Sequence, residues 1–257
     1  MKITVLGCGT STGVPLPNCD CHVCTSTDPK DVRFKTSSLI TTDDGYNILI
    51  DATPDFRHQA LRERIKRIDA VILTHPHSDH VLGLDDLRPY FFKNNNVPIP
   101  LYTNESTFKE ISRVFNYVFE PQPNYLGGGV VKFNPHIIKA YTPFNLLGLE
   151  ILPVSGMHGR MEVYGFRFGN FGYLTDVNIV PTETIDALKG ISTLFLDGLR
   201  KEKTPSHQSF EEAIDVAKAI NAEKTYLVHM SHNTSYQESK KLLPKNIEFA
   251  YDGLVVR

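Results

Sequence analysis

A chain of 257 residues with 41% hydrophobic content has enough apolar material for a sizeable core, and no break in composition divides it, so a single domain over 1–257 is expected. Its 27 basic and 29 acidic residues leave a net charge of -2, which removes the cationic surplus that nucleic-acid binders use to displace counterions. No apolar run approaches the length of a membrane span, and the start carries no signal-peptide cleavage region, so a cytoplasmic protein with no membrane partner is expected.

The first strand pattern, Ile3 to Leu6, runs into Gly7-Cys8-Gly9-Thr10-Ser11-Thr12-Gly13-Val14-Pro15. This loop lacks the Gly-Lys-Ser/Thr ending of a triphosphate site and is not a GxGxxG opening a helix. Its glycines read instead as permitting a tight turn and close backbone approach to the metal region. Next comes Cys19-Asp20-Cys21-His22-Val23-Cys24. Three of the chain's four cysteines cluster here while Cys8 stands apart, a distribution that suggests metal binding more than a disulfide framework. A closed tetrahedral zinc site needs a fourth ligand. His22 is a candidate, although a distant residue would tie the loop down better.

Two hairpin strands come next, Ser38 to Thr41 and Asn47 to Ile50, joined by the turn signal Asp43-Asp44-Gly45. The second ends in Asp51, which could be a ligand, a partner orienting a ligand histidine, or the N-cap of the helical stretch from Asp55 to Arg64. The apolar run Ala70-Val71-Ile72-Leu73 then delivers Thr74-His75-Pro76-His77-Ser78-Asp79-His80. On extended chain His75 and His77 point to one side, while Asp79 and His80 turn towards a second point, an arrangement that suits two ions better than one. Imidazole with carboxylate is the donor set for zinc or a harder ion such as manganese. A lone histidine here would be an ordinary polar-loop residue; three with an aspartate in so short a stretch are not.

Leu82 to Phe92 reads as a short helix, and Ser106 to Val118 as a core-packing helix with Ser106 at its N-cap. Pro121 to Pro143, with its prolines and Gly127-Gly128-Gly129, reads as a loop or edge hairpin beside a substrate mouth, and His136 within it as an ordinary histidine. Leu149 to Pro153 alternates as a strand, with His158 just beyond it. Val163 to Phe168 and Phe171 to Leu174 form a hairpin whose second strand ends in Thr175-Asp176, where a cap and a ligand are equally good readings. After a helix from Thr182 to Leu188 and a buried-type strand from Thr193 to Asp197, Ser209 to Ile220 is an amphipathic helix with Glu211 and Glu212 in the first turn, where the dipole favours acids. Thr225 to Val228 then runs into His229-Met230-Ser231-His232, again histidines at the end of an apolar strand. His232 can complete the cysteine cluster.

The H-x-H-x-D-H of residues 75–80 resembles the signature of the metallo-β-lactamase superfamily, whose α/β fold is a four-layer αββα sandwich with a metal site at one sheet edge. The cysteine triplet, the opening at Gly7 to Pro15 and the H-x-x-H at 229–232 further resemble the PhnP-like phosphodiesterases, cyclic-phosphate hydrolases, over nearly the whole chain. Residue by residue, the resemblance implies one ion on His75, His77, His158 and Asp176 and a second on Asp79, His80, Asp176 and His229, with Asp176 bridging. It further implies a structural zinc on Cys19, Cys21, Cys24 and His232, and an Asp51 that supports the site without binding metal. The two active-site ions would be zinc or manganese. His207, in Thr204-Pro205-Ser206-His207-Gln208, matches the histidine thought to protonate the leaving oxygen and, with Asp79, carries the implied catalysis. The implied reaction is hydrolysis of a small cyclic phosphodiester by water shared between two cations, with relatives that suggest a homodimer. The alternative is a tRNA 3′-processing endonuclease of the RNase Z type. It shares the histidine motif, but the near-neutral charge and the lack of an inserted basic arm disfavour nucleic acid.

Overall fold

The computed structural model describes residues 1–120 and 129–257, and its strands sort into two seven-stranded sheets among the described residues. In chain order they are β1 (Lys2–Gly7), β2 (Ser37–Thr41), β3 (Asn47–Ile50), β4 (Ala70–Ile72), β5 (Ile99–Thr103), β6 (Phe133–Ile137), β7 (Phe144–Leu146), β8 (Leu149–His158), β9 (Met161–Phe168), β10 (Phe171–Leu174), β11 (Thr193–Asp197), β12 (Lys224–Val228), β13 (Ile247–Phe249) and β14 (Val255–Val256). The chain divides into two compact units: Met1–Leu6 with Ser37–Ile138 and Val255–Arg257, and Gly7–Thr36 with Lys139–Leu254.

In the first unit the sheet order is β14-β1-β2-β3-β4-β5-β6. The β2–β3 hairpin is antiparallel, whereas β3 to β6 run parallel, which requires crossover segments. Helices Phe56–Arg62, Arg88–Lys93 and Glu105–Val114 supply those crossovers. Phe56, Ala60, Phe91 and Ile111 from the helices join Leu39, Leu49, Val71 and Leu101 from the strands in one buried apolar cluster. Strand β5 is hidden in the sequence by Pro98 and Pro100, residues that argue against a strand interior. Of the stretch Pro121 to Pro143, residues 121–128 lie outside the described residues, and Phe133–Ile137 is strand rather than loop. The expected N-cap at Ser106 is corrected to Asn104, whose Oδ1 accepts from Thr107 N at 2.7 Å and from Ser106 Oγ at 2.9 Å. An asparagine carbonyl reaches the third amide of the helix as well as a serine does. Asp55 precedes its helix without a side-chain capping bond.

The turn after the histidine motif depends on Gly83. Its N–H donates to Ala52 O at 2.8 Å, and a Cβ at this position would lie 2.0 Å from Thr53 O. Only glycine lets the 3₁₀ segment Leu82–Leu87 come this close to the chain leaving β3.

In the second unit the order is β13-β12-β11-β10-β9-β8-β7, an antiparallel meander from β7 to β10 and then parallel pairing from β10 to β13. Strand β8 continues through His158, five residues further than the strand pattern predicts, because it pairs with β9 along its whole length and ends at His158↔Met161. Gly156 breaks the apolar alternation there; its Cβ would stand 2.7 Å from Val177 Cγ1. Helix Phe210–Ile220 begins with a reciprocal capping box between Ser209 and Glu212 and buries Phe210, Ala213, Ala217 and Ile220. No helix among the described residues is long and apolar enough to cross a membrane.

Gly83→Ala should therefore cost about 1–3 kcal/mol or more, as overpacking does, and lower the denaturant midpoint. An unchanged midpoint would show that the approach to Thr53 is not a constraint.

Candidate functional site

Parallel neighbours end at the same sheet edge, so the segments leaving β3 and β4 meet there. The β3–β4 ladder extends one residue, through Asp51 N to Ile72 O at 3.0 Å, and Asp51 then takes a left-handed φ of 60°. This bend leaves its carboxylate, fully buried, facing the chain that leaves β4. Oδ1 accepts from Thr74 N at 2.8 Å; Oδ2 accepts from Thr74 Oγ1 at 2.8 Å and lies 2.7 Å from His80 Nδ1. Burial pushes the Asp51 carboxyl up, while the neighbouring His80 opposes that shift. With Nδ1 donating to Asp51, His80 presents its Nε2 lone pair, the form a metal ligand needs. The His75 ring lies 4.1 Å from that of His80 and 4.7 Å from that of His77, and His80 Nε2 is 3.2 Å from Asp79 Oδ2. The four predicted donors of the motif thus lie close together in the first unit, with Asp51 behind His80.

The second unit repeats the device. Asp176 comes after β10 with φ 57° and His229 after β12 with φ 65°, and both are buried. His229 Nε2 is 3.1 Å from Asp176 Oδ1, and Thr175 Oγ1 donates to Asp176 Oδ2 at 2.8 Å. His158, at the end of β8, sets its Nδ1 2.7 Å from Ser206 O. A carbonyl only accepts, so Nδ1 holds the proton and Nε2 the lone pair. His207 lies between these groups, its ring 4.6 Å from that of His158 and stacked at 4.6 Å on that of His229. Ligand atoms of His158, Asp176 and His207 lie within 4.8 Å of one another, so these three could hold an ion.

One residue here was given no role by its sequence. Asp197, fully buried at the end of β11, has Oδ1 3.3 Å from His207 Nδ1 and accepts from Gln208 N at 2.9 Å through Oδ2. It repeats the signal seen at Asp51, Asp176 and His229, a polar residue closing an apolar strand, and that repetition was the available clue.

The four members of the cysteine set also converge within the second unit. Cys19, Cys21 and Cys24 place Sγ 3.4, 3.5 and 3.7 Å from His232 Nδ1. Zinc–sulfur and zinc–nitrogen bonds at a tetrahedral angle would separate such atoms by about 3.6 Å, so the donors fit a closed zinc site. His22 is exposed and faces Glu238 instead. The Cys24 N–H bonding its sulfur, with His232 and the other thiols, pulls Cys21 down to about 6. Burial pushes Cys24 up to about 11. Arg33, buried, spans this region: Nη2 donates to Asp31 Oδ1 at 2.8 Å and Thr234 O at 2.6 Å, and Nη1 to Ser231 O at 3.2 Å. Asp31 also accepts from Ser26 Oγ and Tyr236 N. Gly9 makes a close approach to the Arg33 backbone, where a Cβ would lie 2.8 Å from Arg33 O.

The family model for the beta-lactamase superfamily domain matches residues 46–230. A crystal structure of a diphosphatase from the PhnP family is 41% identical, with TM-score 0.92 over 100% of this chain and 97% of that one. An octanoyltransferase of Porphyromonas gingivalis is 42% identical over 256 residues, 99% of this chain and 51% of that protein. Coenzyme PQQ synthesis protein B of Methylobacterium radiotolerans is 32% identical over 172 residues, 61% of this chain and 53% of that protein. The chain spans about half the length of these curated relatives.

After chelation, iodoacetamide should label Cys21 with a half-point near pH 6 and Cys24 only near pH 11, since the thiolate is the nucleophile. Zinc should suppress labelling of both. Labelling of the two thiols in parallel through pH 9 would contradict the hydrogen-bond assignment.

Proposed function

This chain belongs to the beta-lactamase superfamily and, within it, to the PhnP family, and from that premise we propose that it is a metal-dependent hydrolase cleaving a phosphorus–oxygen bond in a small, preferably cyclic, phosphodiester. Imidazole and carboxylate donors at the carboxyl ends of parallel strands in both units carry this reading. In it, His75, His77, His158 and Asp176 hold one ion, Asp79, His80, Asp176 and His229 a second, and Cys19, Cys21, Cys24 and His232 a structural zinc. Zinc or manganese in the first two places would supply a water activated at neutral pH and charge neutralisation on the phosphoryl oxygens.

The chain's own residues do the remaining work. Asp51 fixes the His80 ring through Nδ1, and Ser206 O does the same for His158, so each histidine can present Nε2. Thr175 holds one oxygen of Asp176. His207 has Nδ1 beside Asp197, which orients the ring so that Nε2 can deliver a proton to a leaving oxygen. Its stacking on His229 sets the ring plane.

The PhnP-family relative is a diphosphatase, and diphosphates and phosphodiesters share attack at phosphorus. They differ at the leaving group: a phosphate departs readily, whereas an alkoxide needs a proton, which a histidine such as His207 supplies. A screen of metal-replete protein against cyclic diesters, linear diesters and diphosphates tests the reading. Turnover confined to diphosphates would replace it.

Two outcomes are expected. Elemental analysis should return about three ions per chain, with the thiolate-bound one slowest to exchange; one ion or none would count against both ligand sets. His207→Ala should slow hydrolysis of a cyclic sugar phosphate by about 10²–10⁴-fold, the usual contribution of a general acid, and that of an activated aryl diester far less. Equal losses with metal content intact would make His207 a positioning or ligand residue, whereas His77→Ala should depress both substrates.

A further inference from the structure

Away from the donor clusters, the first unit holds a cavity of about 520 Å³ between the chain from Phe56 to Lys66 and the chain from Asp85 to Tyr90. We propose that it is a binding site for a small amphipathic anion, an organic molecule with an apolar body and one carboxylate or phosphate head. Its volume falls within the range of small-molecule sites, and a concavity of this size fits a compact ligand better than a flat macromolecular surface.

The floor is apolar. Phe56 and Tyr90 place their rings 5.9 Å apart, and Ala60 and Ile65 add aliphatic surface to the lining. Tyr90 Oη donates to Ile65 O at 3.2 Å, joining the two walls. Leu61, which also lines the cavity, is 62% exposed, so it offers apolar area that a bound body would remove from water.

Charge selects the head group. The lining carries four basic side chains, Arg57, Arg64, Lys66 and Arg88, against two acids, Asp85 and Asp86, and Asp85 pairs with Arg88. Arg64 and Lys66 are both exposed. A smaller adjoining cavity of about 320 Å³ shares Lys66 and Tyr90 and adds Lys93 to the same rim. An anion therefore meets net positive charge at the mouth with apolar surface below, and a guanidinium such as Arg64 can bind a carboxylate or phosphate in bidentate fashion.

Decanoate, kept below its micelle concentration, serves as the probe, with decyltrimethylammonium and acetate as controls for charge and for the apolar body. Calorimetry on the intact protein should give saturable decanoate binding at about one per chain, as one cavity requires, and none of either control. The R64E/K66E double variant should weaken binding at least about tenfold, the effect of losing a charge-assisted contact. Ala60→Trp, which fills the floor, should abolish it. Hydrogen exchange should slow on adding decanoate within residues 56–66 and 85–90. No saturable binding, equal binding of the cation, unaltered affinity in both variants, or protection elsewhere would overturn the proposal. So would a dimer that Leu61→Glu splits into monomers, because a second copy of the chain would then cover the cavity.

Discussion

Neighbouring parallel strands finish at the same edge, and the chemistry of this protein depends on that constraint. β3 and β4 bring Asp51 to the histidine motif, and β10, β11 and β12 bring Asp176, Asp197 and His229 towards one another. At three of these positions the backbone turns away at once. Asp51, Asp176 and His229 do this in left-handed conformation, at about 1–3 kcal/mol each for a residue with a Cβ. Hydrogen bonds to the buried neighbouring chain, three in the case of Asp51, offset that strain.

Electrostatics at these edges differ from those of the rest of the core. Asp31 is buried against a guanidinium, Arg33, so the pair is neutral by itself. Asp51, Asp176 and Asp197 are buried beside imidazoles instead. A histidine used as a metal ligand is neutral, so Asp51 in the first unit, and Asp176 with Asp197 in the second, each put carboxylate in low-dielectric surroundings beside imidazole rather than a guanidinium or ammonium. Divalent cations are the natural counter-charge. That logic is independent of any family likeness.

The cysteine site serves a different purpose. Its thiols and His232 are more than two hundred residues apart in the chain, and Arg33 ties the same two segments through carbonyls at Ser231 and Thr234. His229 and His232 are carried on one short segment, fixed further by Met230 N to Cys8 O at 2.9 Å and Thr10 N to Met230 O at 3.0 Å. An ion on the thiolates would therefore hold the segment that also carries a donor of the hydrolytic set.

The sequence by itself determined the donor types and the strands that carry them. An apolar run closed by His, Asp or Cys-rich turns is a local pattern, so His75 to His80, Asp176, His229 and the cysteine triplet could all be read in one dimension. The resemblance then supplied fold and pairing. What could not be read was whatever depends on which strands become neighbours. Asp197 acquires its place beside His207 only because β11 lies parallel between β10 and β12, and His158 ends a strand only because β9 extends the pairing past Gly156. The buried Arg33 looks like any surface arginine until Ser231 and Thr234 are folded onto it. Local chemistry is written residue by residue, whereas hydrogen-bond partners far apart in the chain are chosen by sheet order, and that choice belongs to the tertiary structure.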